Sequence, residues 1–95
     1  MIISLDFDDT YTRDPRFWDL FAQSAIAQGH TIICVTMRYP EEGQQVRESL
    51  GKIIGEDNLY FTGRLAKEKF MLNLGINVSV WVDDRPFWIL NSAAP

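Results

Sequence analysis

At 95 residues the chain holds one domain with a single core and leaves no room for a second, substrate-covering one. Its composition, 46% apolar and 23% charged with three Trp, three Tyr and six Phe, is that of a folded globular protein and excludes a disordered chain. A formal charge of −4 argues against a generally basic nucleic-acid footprint. No stretch approaches the roughly 18 to 20 apolar residues of a membrane span, and no basic region followed by a long apolar segment opens the chain. Cys34 stands alone in an apolar run, as a buried inert thiol in a reducing compartment would. These features predict a cytoplasmic protein without a membrane partner, monomeric or homo-oligomeric.

Met1 to Phe7 reads as a first strand, rich in Ile and Leu and lacking clean alternation, as expected of a central strand covered on both faces. It runs into Asp6, Asp8, Asp9 and Thr10, a cluster costly to bury and therefore the mark of a polar site at a strand's end. Alternation sends Asp6 and Asp8 to the same side, and two like charges so placed want a cation between them. Carboxylate-only ligation suits a hard ion, Mg²⁺. An EF-hand loop fails, because counting from Asp6 its glycine position holds Tyr11 and its bidentate glutamate position holds Phe17. The remaining bland reading is an acidic turn whose Asp and Thr serve as helix caps.

Asp8 to Asp14 is a connector. Pro15 then opens a helix with Asp14 as N-cap, and Phe17, Trp18, Phe21, Ala22, Ala25 and Ile26 make a wide apolar face that ends at Gly29. His30 falls in the following turn, away from the carboxyl ends of the strands. Thr31 to Thr36 is the second strand, and Met37-Arg38-Tyr39 the loop beyond it. A helix opened by Pro40 runs to Leu50 or Ile54, with Val46, Leu50, Ile53 and Ile54 inward and Gly51 weakening its middle. Asn58 to Thr62 is a brief third strand and Gly63 a turn. Arg64 to Leu74 reads as a third helix with Leu65, Phe70, Leu72 and Leu74 as apolar members. Val78 to Val82 is the fourth strand, ending in Asp83-Asp84-Arg85-Pro86. The tail from Phe87 to Pro95 makes a last helical turn or an edge strand, and the Trp and Phe residues of the first helix and tail read as core.

Strand-helix alternation of this kind predicts an α/β, Rossmann-like three-layer sandwich: a small parallel sheet of about four strands with helices on both faces and no cap domain. Ligands in such sheets gather at the strands' carboxyl ends. Asp6 and Asp8, Thr36, and Asp83 and Asp84 all fall there, so three strands point their chemistry at one crevice.

The ordered set Asp6-x-Asp8-x-Thr10, Thr36, Lys67 or Lys69, and Asp83-Asp84 resembles the four motifs of the haloacid dehalogenase-like (HAD) superfamily of phosphotransferases, over residues 2 to 86. The resemblance implies Asp6 as the nucleophile forming an aspartyl phosphate, and Asp8 as general acid and then general base. A neighbouring carboxylate and partial burial would tune Asp8 for that work. It further implies Mg²⁺ held by Asp6, the backbone carbonyl of Asp8, Asp83 and Asp84, and Thr36 and a lysine as phosphate-binding groups. Lys67 is the preferred lysine, because Gly63-Arg64-Leu65-Ala66-Lys67 resembles the turn-then-lysine start of that motif. Lys69 lies about 200° further round a helix, so the two cannot share a face. Thr10, Tyr11, Arg38 and Arg85 flank the motifs as possible substrate contacts.

The chain departs from larger relatives of that superfamily in its short connections, which leave no cap. An open site suits a phosphomonoester on a bulky carrier, such as a nucleic-acid end or a phosphoprotein, or a homo-oligomer whose neighbour closes the site over a small phosphate. The alternative function is a catalytically weak phosphate- and metal-binding regulatory module of the same fold. A receiver-type signalling domain ranks lower, since its acidic pair should end the first strand and here Asp83-Asp84 comes last.

Overall fold

In a computed structural model that describes all 95 residues, β1 (Ile2–Leu5), β2 (Thr31–Thr36), β3 (Leu59–Phe61) and β4 (Val80–Val82) form one sheet in the order β3-β2-β1-β4. Every pairing is parallel, with Ile3 opposite Ile32 and Val80, and Val35 opposite Tyr60. Parallel neighbours need crossovers. Helix α1 (Pro15–Ala27) makes the first, α2 (Gln44–Glu48) and α3 (Leu50–Ile54) the second, and α4 (Lys67–Asn73) the third. A last helix, α5 (Phe87–Leu90), follows β4.

Both faces of the sheet are covered, which is why the strands lack alternation. Ile3, Leu5, Ile32 and Cys34 join Ala22, Ala25, Val46, Leu50 and Ile54 in the larger core under α1, α2 and α3. Ile33 and Val35 point the other way, against Met71 of α4. Each Val, Leu, Ile or Met side chain so enclosed contributes about 1.5–3 kcal/mol of hydrophobic stabilisation. Cys34 is fully buried among them, and that burial pushes its thiol well above the ordinary range, the condition of an inert thiol. The result is the expected Rossmann-like α/β sandwich with a four-stranded parallel sheet. No helix is long and apolar enough to cross a membrane.

The elements deviate from the sequence reading in three places. Pro40–Glu42 is a single 3-10 turn, and the helix after it breaks at Ser49 (φ −118°, ψ −94°), not at Gly51. The Ser49 hydroxyl donates to the Gln45 carbonyl at 2.6 Å, a local bond that competes with the helix ladder. Gly51 lies inside α3, where a Cβ would come within 3.0 Å of Leu59 and 3.2 Å of the Val46 carbonyl. It is a close-approach residue. The third helix starts at Lys67 instead of Arg64, because Gly63 and Arg64 both take positive φ (61° and 75°) and cannot continue a helix.

The third deviation is the inward face of α4: Met71 is its fully buried member, while Leu65, Leu72 and Leu74 are exposed. Phe17, Ile26 and Phe87, expected in the core, are exposed too, and Trp18, Phe21 and Trp88 only partly covered. A three-turn helix over a three-strand-wide patch buries a narrow stripe, here Ala22 and Ala25. The tail begins as the short helix α5, the first of the two alternatives read from the sequence.

The chain steps outward from β1 to β2 to β3, and α4 then carries it back past β1 to β4. The direction of winding therefore reverses between β1 and β4. In open parallel sheets the crevice at that reversal is where ligands bind. Asp6 follows β1 and Asp83 follows β4.

Candidate functional site

Asp6 prolongs the ladder beyond β1, its N–H donating to the Val82 carbonyl at 2.9 Å, so its side chain emerges beside the end of β4. The chain then turns tightly: Tyr11 N–H reaches back to the Asp6 carbonyl and Thr12 N–H to that of Phe7. Asp9 takes φ +61°, a conformation Asp tolerates better than most residues, and its N–H is capped by the Thr12 hydroxyl at 3.0 Å. The turn separates the first two acids. Asp6 is buried, while Asp8 faces solvent.

Lys67, the first residue of α4, reaches into this crevice and is itself buried. Its Nζ donates to Asp6 Oδ1 at 2.8 Å and to Asp83 Oδ2 at 2.6 Å. The preceding turn aims it: the Thr62 hydroxyl donates to the Leu65 carbonyl, and Ala66 N–H to the Ser92 hydroxyl. Thr10 bridges the other side. Its hydroxyl lies 3.0 Å from Asp6 Oδ2 and 3.2 Å from Asp84 Oδ1, one proton serving either acceptor, and it accepts the Asp84 N–H at 3.2 Å. Thr36 is buried at the end of β2, its hydroxyl accepting from the Arg38 N–H at 3.3 Å.

Asp8 is held differently from the expectation. It meets no second carboxylate and is not partly buried; Arg38 forks its carboxylate through Nε (3.0 Å) and Nη2 (2.7 Å). Arg38 is itself fixed by the Glu42 carbonyl, by Gln45 and by the face of Phe7, 5.1 Å from its guanidinium carbon. Paired N–H donors on both oxygens hold a carboxylate in one orientation.

Burial pushes the Asp6 carboxyl up to about 7, against the pull of Lys67, with Asp83 and Asp84 adding to the rise. Burial alone would lower Lys67, but Asp6 and Asp83 beside it reverse this and hold it above its usual value. Desolvation thus resists charge on Asp6 even with an ammonium in contact. Asp6, Asp83 and Asp84 each offer an oxygen, and these lie within 4.8 Å of one another. Three carboxylates and one ammonium leave two formal negative charges uncompensated by buried groups, since Arg85 approaches Asp84 only at 3.8 Å from a mostly exposed position. An all-oxygen donor set with that charge fits a hard divalent ion. The Asp8 carboxylate stands outside the set.

A pocket of about 420 Å³ opens over this group, lined by Asp6, Asp8, Thr36, Lys67, Asp83 and Asp84 among others. The sequence-derived residues are thus brought together, and Lys67 faces the crevice while Lys69 is exposed. Three of the four flanking residues do not behave as substrate contacts. Tyr11 is buried, stacked on Phe7 with centroids 5.5 Å apart, its hydroxyl donating to Asp19 at 2.7 Å. Arg38 lines the pocket with its donors committed, and Thr10 ties two acids together. Arg85 remains at the rim. The sequence reading missed Arg64, Trp88 and Ala93 of the lining; a loop residue with positive φ and a tail that folds back leave no periodic signal.

The fold and crevice define a small Rossmann-like α/β protein with a carboxylate–lysine site at its topological switch point. Comparison with protein-family models, curated proteins and solved structures finds no match.

Proposed function

We propose that the chain is a Mg²⁺-dependent phosphohydrolase of the HAD-like, capless type, acting on phosphomonoesters through Asp6. The observation that carries this reading is the buried Lys67 ammonium in contact with both Asp6 and Asp83, two acids at the carboxyl ends of the neighbouring strands β1 and β4, between which the winding reverses. So costly a group, built of hydrogen-bonded charges at the floor of an open pocket, is the arrangement that phosphoryl transfer needs.

In this reading an Asp6 oxygen attacks phosphorus and the bond from phosphorus to the leaving oxygen breaks, the leaving oxygen taking a proton from Asp8. In the second half Asp8, now a carboxylate, takes a proton from water as its oxygen attacks the phosphorus. The Asp6 oxygen–phosphorus bond then breaks, returning the Asp6 carboxylate and inorganic phosphate. Lys67 and Thr36 hold the oxygens of the transferred group. Asp6, Asp83 and Asp84 would hold Mg²⁺, which supplies charge neutralisation between the anionic nucleophile and the phosphate. The buried Cys34, with no partner, accords with a cytoplasmic protein.

The Arg38 fork favours a second reading, a regulatory module that binds phosphate and metal and turns over weakly, because an Asp8 locked as an acceptor is not donating a proton. One assay separates the two: phosphate release from a generic aryl phosphate, with Mg²⁺ or chelator, by wild type and Asp6→Asn. Metal-dependent release lost in the variant supports the hydrolase. Release that persists in Asp6→Asn at the wild-type rate removes Asp6 as nucleophile, and metal and phosphate-analogue binding without release selects the module.

A further inference from the structure

The pocket over the carboxylates is lined mostly by polar residues, but three of its thirteen lining residues are apolar, here called its wall, and phosphate chemistry alone does not account for them. Its apolar lining residues are Met37, from the loop after β2, and Trp88 and Ala93, from the tail after β4. The tail is fastened across the start of α4: Ala93 N–H donates to the Arg64 carbonyl at 2.8 Å, and the Ser92 hydroxyl accepts from Ala66 N–H at 2.9 Å. The same Ala66–Lys67 segment launches the lysine, so wall and floor keep a fixed relation. Trp88 is braced edge-on by Phe87, centroids 4.9 Å apart.

We propose that this wall recognises a nucleobase, making the substrate a phosphomonoester of the nucleotide type, free or at the end of a strand; this rests on the phosphatase reading of the floor. The flat face of a base suits an indole and a thioether, both of which line this pocket. The Trp88 indole N–H and the Arg85 guanidinium make no hydrogen bond within the protein, and both border the pocket. Ring nitrogens and exocyclic oxygens of a base accept from such donors, whereas the phenyl ring of a phosphotyrosine and the chain of an alkyl phosphate present no lone-pair acceptor to them. About 420 Å³ is room for one nucleotide, not a length of strand.

The test is a calorimetric titration of Asp6→Asn protein in Mg²⁺ with adenosine monophosphate, glycerol phosphate, phosphotyrosine and a 5′-phosphorylated oligonucleotide, repeated with Trp88→Ala and Trp88→Phe added. Adenosine monophosphate should bind roughly tenfold more tightly than glycerol phosphate, and Trp88→Ala should erase that margin while Trp88→Phe keeps most of it. Tighter binding of the oligonucleotide than of the mononucleotide would assign the substrate to a strand end, and the reverse to the free nucleotide. Equal affinity for all four, no binding of the nucleotide, phosphotyrosine binding as tightly as the nucleotide, or an equal loss on glycerol phosphate in Trp88→Ala would overturn the proposal. Wild-type KM values for the same compounds give a second measurement should Asp6→Asn fail to fold. A binding preference without turnover of any compound would leave the wall standing and remove the hydrolase.

Discussion

Replacing Lys67 by Met isolates the physics of the site. The ammonium is the sole buried cation in contact with Asp6 and Asp83, whose side chains are 9% and 4% exposed. Removing one partner of a buried pair costs about 3–5 kcal/mol, because the charge left behind has neither water nor counter-ion. A domain of this size loses about 4–8 °C of Tm per kcal/mol, which places the drop between about 12 and 40 °C. The loss depends on pH. Asp6 titrates near 7 with Lys67 pulling it down, and higher once the ammonium is gone; at pH 5 it carries a proton in both proteins and the loss is smaller, while at pH 8 the variant must bury the Asp6 charge alone or keep a proton that wild type has released. Mg²⁺ should restore more stability to the variant than it adds to wild type, since the ion replaces the missing charge. The assay is urea unfolding in chelator at pH 5 and pH 8, then with Mg²⁺, with Lys69→Met as an exposed control expected within about 0.5 kcal/mol of wild type. A loss under about 1 kcal/mol at pH 8, or an equal loss at both pH values, would refute the reasoning.

For metal-free wild type the sign of the pH effect follows from Asp6 alone: unfolded it titrates near 3.8, folded near 7, so its contribution is fully present below about 4 and is lost as pH rises through 7. The stability of wild type minus that of Asp6→Asn, from urea titrations in chelator between pH 4 and 8, should therefore fall with pH, and a flat difference would count against a raised Asp6. Thr10→Val removes the hydroxyl between Asp6 and Asp84 and should cost about 1–3 kcal/mol by the same titration while weakening Mg²⁺ binding measured calorimetrically; unchanged metal affinity would deny Thr10 a part in arranging the acids. Arg38→Ala breaks a partly exposed pair and should leave stability within about 1 kcal/mol, yet change kcat on an aryl phosphate about 10- to 100-fold: a fall where the fork orients Asp8 as the acid, a rise where the fork withholds its proton. An unchanged kcat would show that the fork does not orient the acid.

How far the chain could be read in advance follows from what each residue answers to. Strands covered on both faces announce themselves as apolar runs, and β2 was legible to the residue because nothing but burial governs Thr31 to Thr36. Asp6, Thr36 and Asp83 follow from those strands by the rule that places ligands at carboxyl ends. Lys67 was legible only through its turn, since helical spacing separates it from Lys69 without saying which faces in. The misreadings turn on side-chain bonds, backbone angles and covering area that apolar periodicity does not record. Asp8 lies two residues from Asp6, but its surroundings are set by Arg38, thirty positions away. Ser49 breaks a helix where Gly51 has the weaker propensity, because its hydroxyl finds the Gln45 carbonyl and Gly51 is held by contact with Leu59. Phe17 and Phe87 are apolar enough for a core, but a sheet of four short strands has no area left to cover them.

That shortage of core sharpens the argument from the site. With 95 residues, total stability is on the order of 5–14 kcal/mol, and buried ion pairs of this kind are often matched or bettered by apolar side chains of similar volume. Leaving Phe17, Leu20, Phe87 and Leu90 at the surface while enclosing Asp6, Lys67 and Asp83 is the reverse of what stability alone would select. Every buried side-chain polar atom is nonetheless satisfied, so the group is an organised network and no packing fault. It also sits at the one place where the winding of the sheet opens a crevice. A charged network that weakens a small core, is fully hydrogen-bonded and faces a 420 Å³ pocket has its rationale in what binds there.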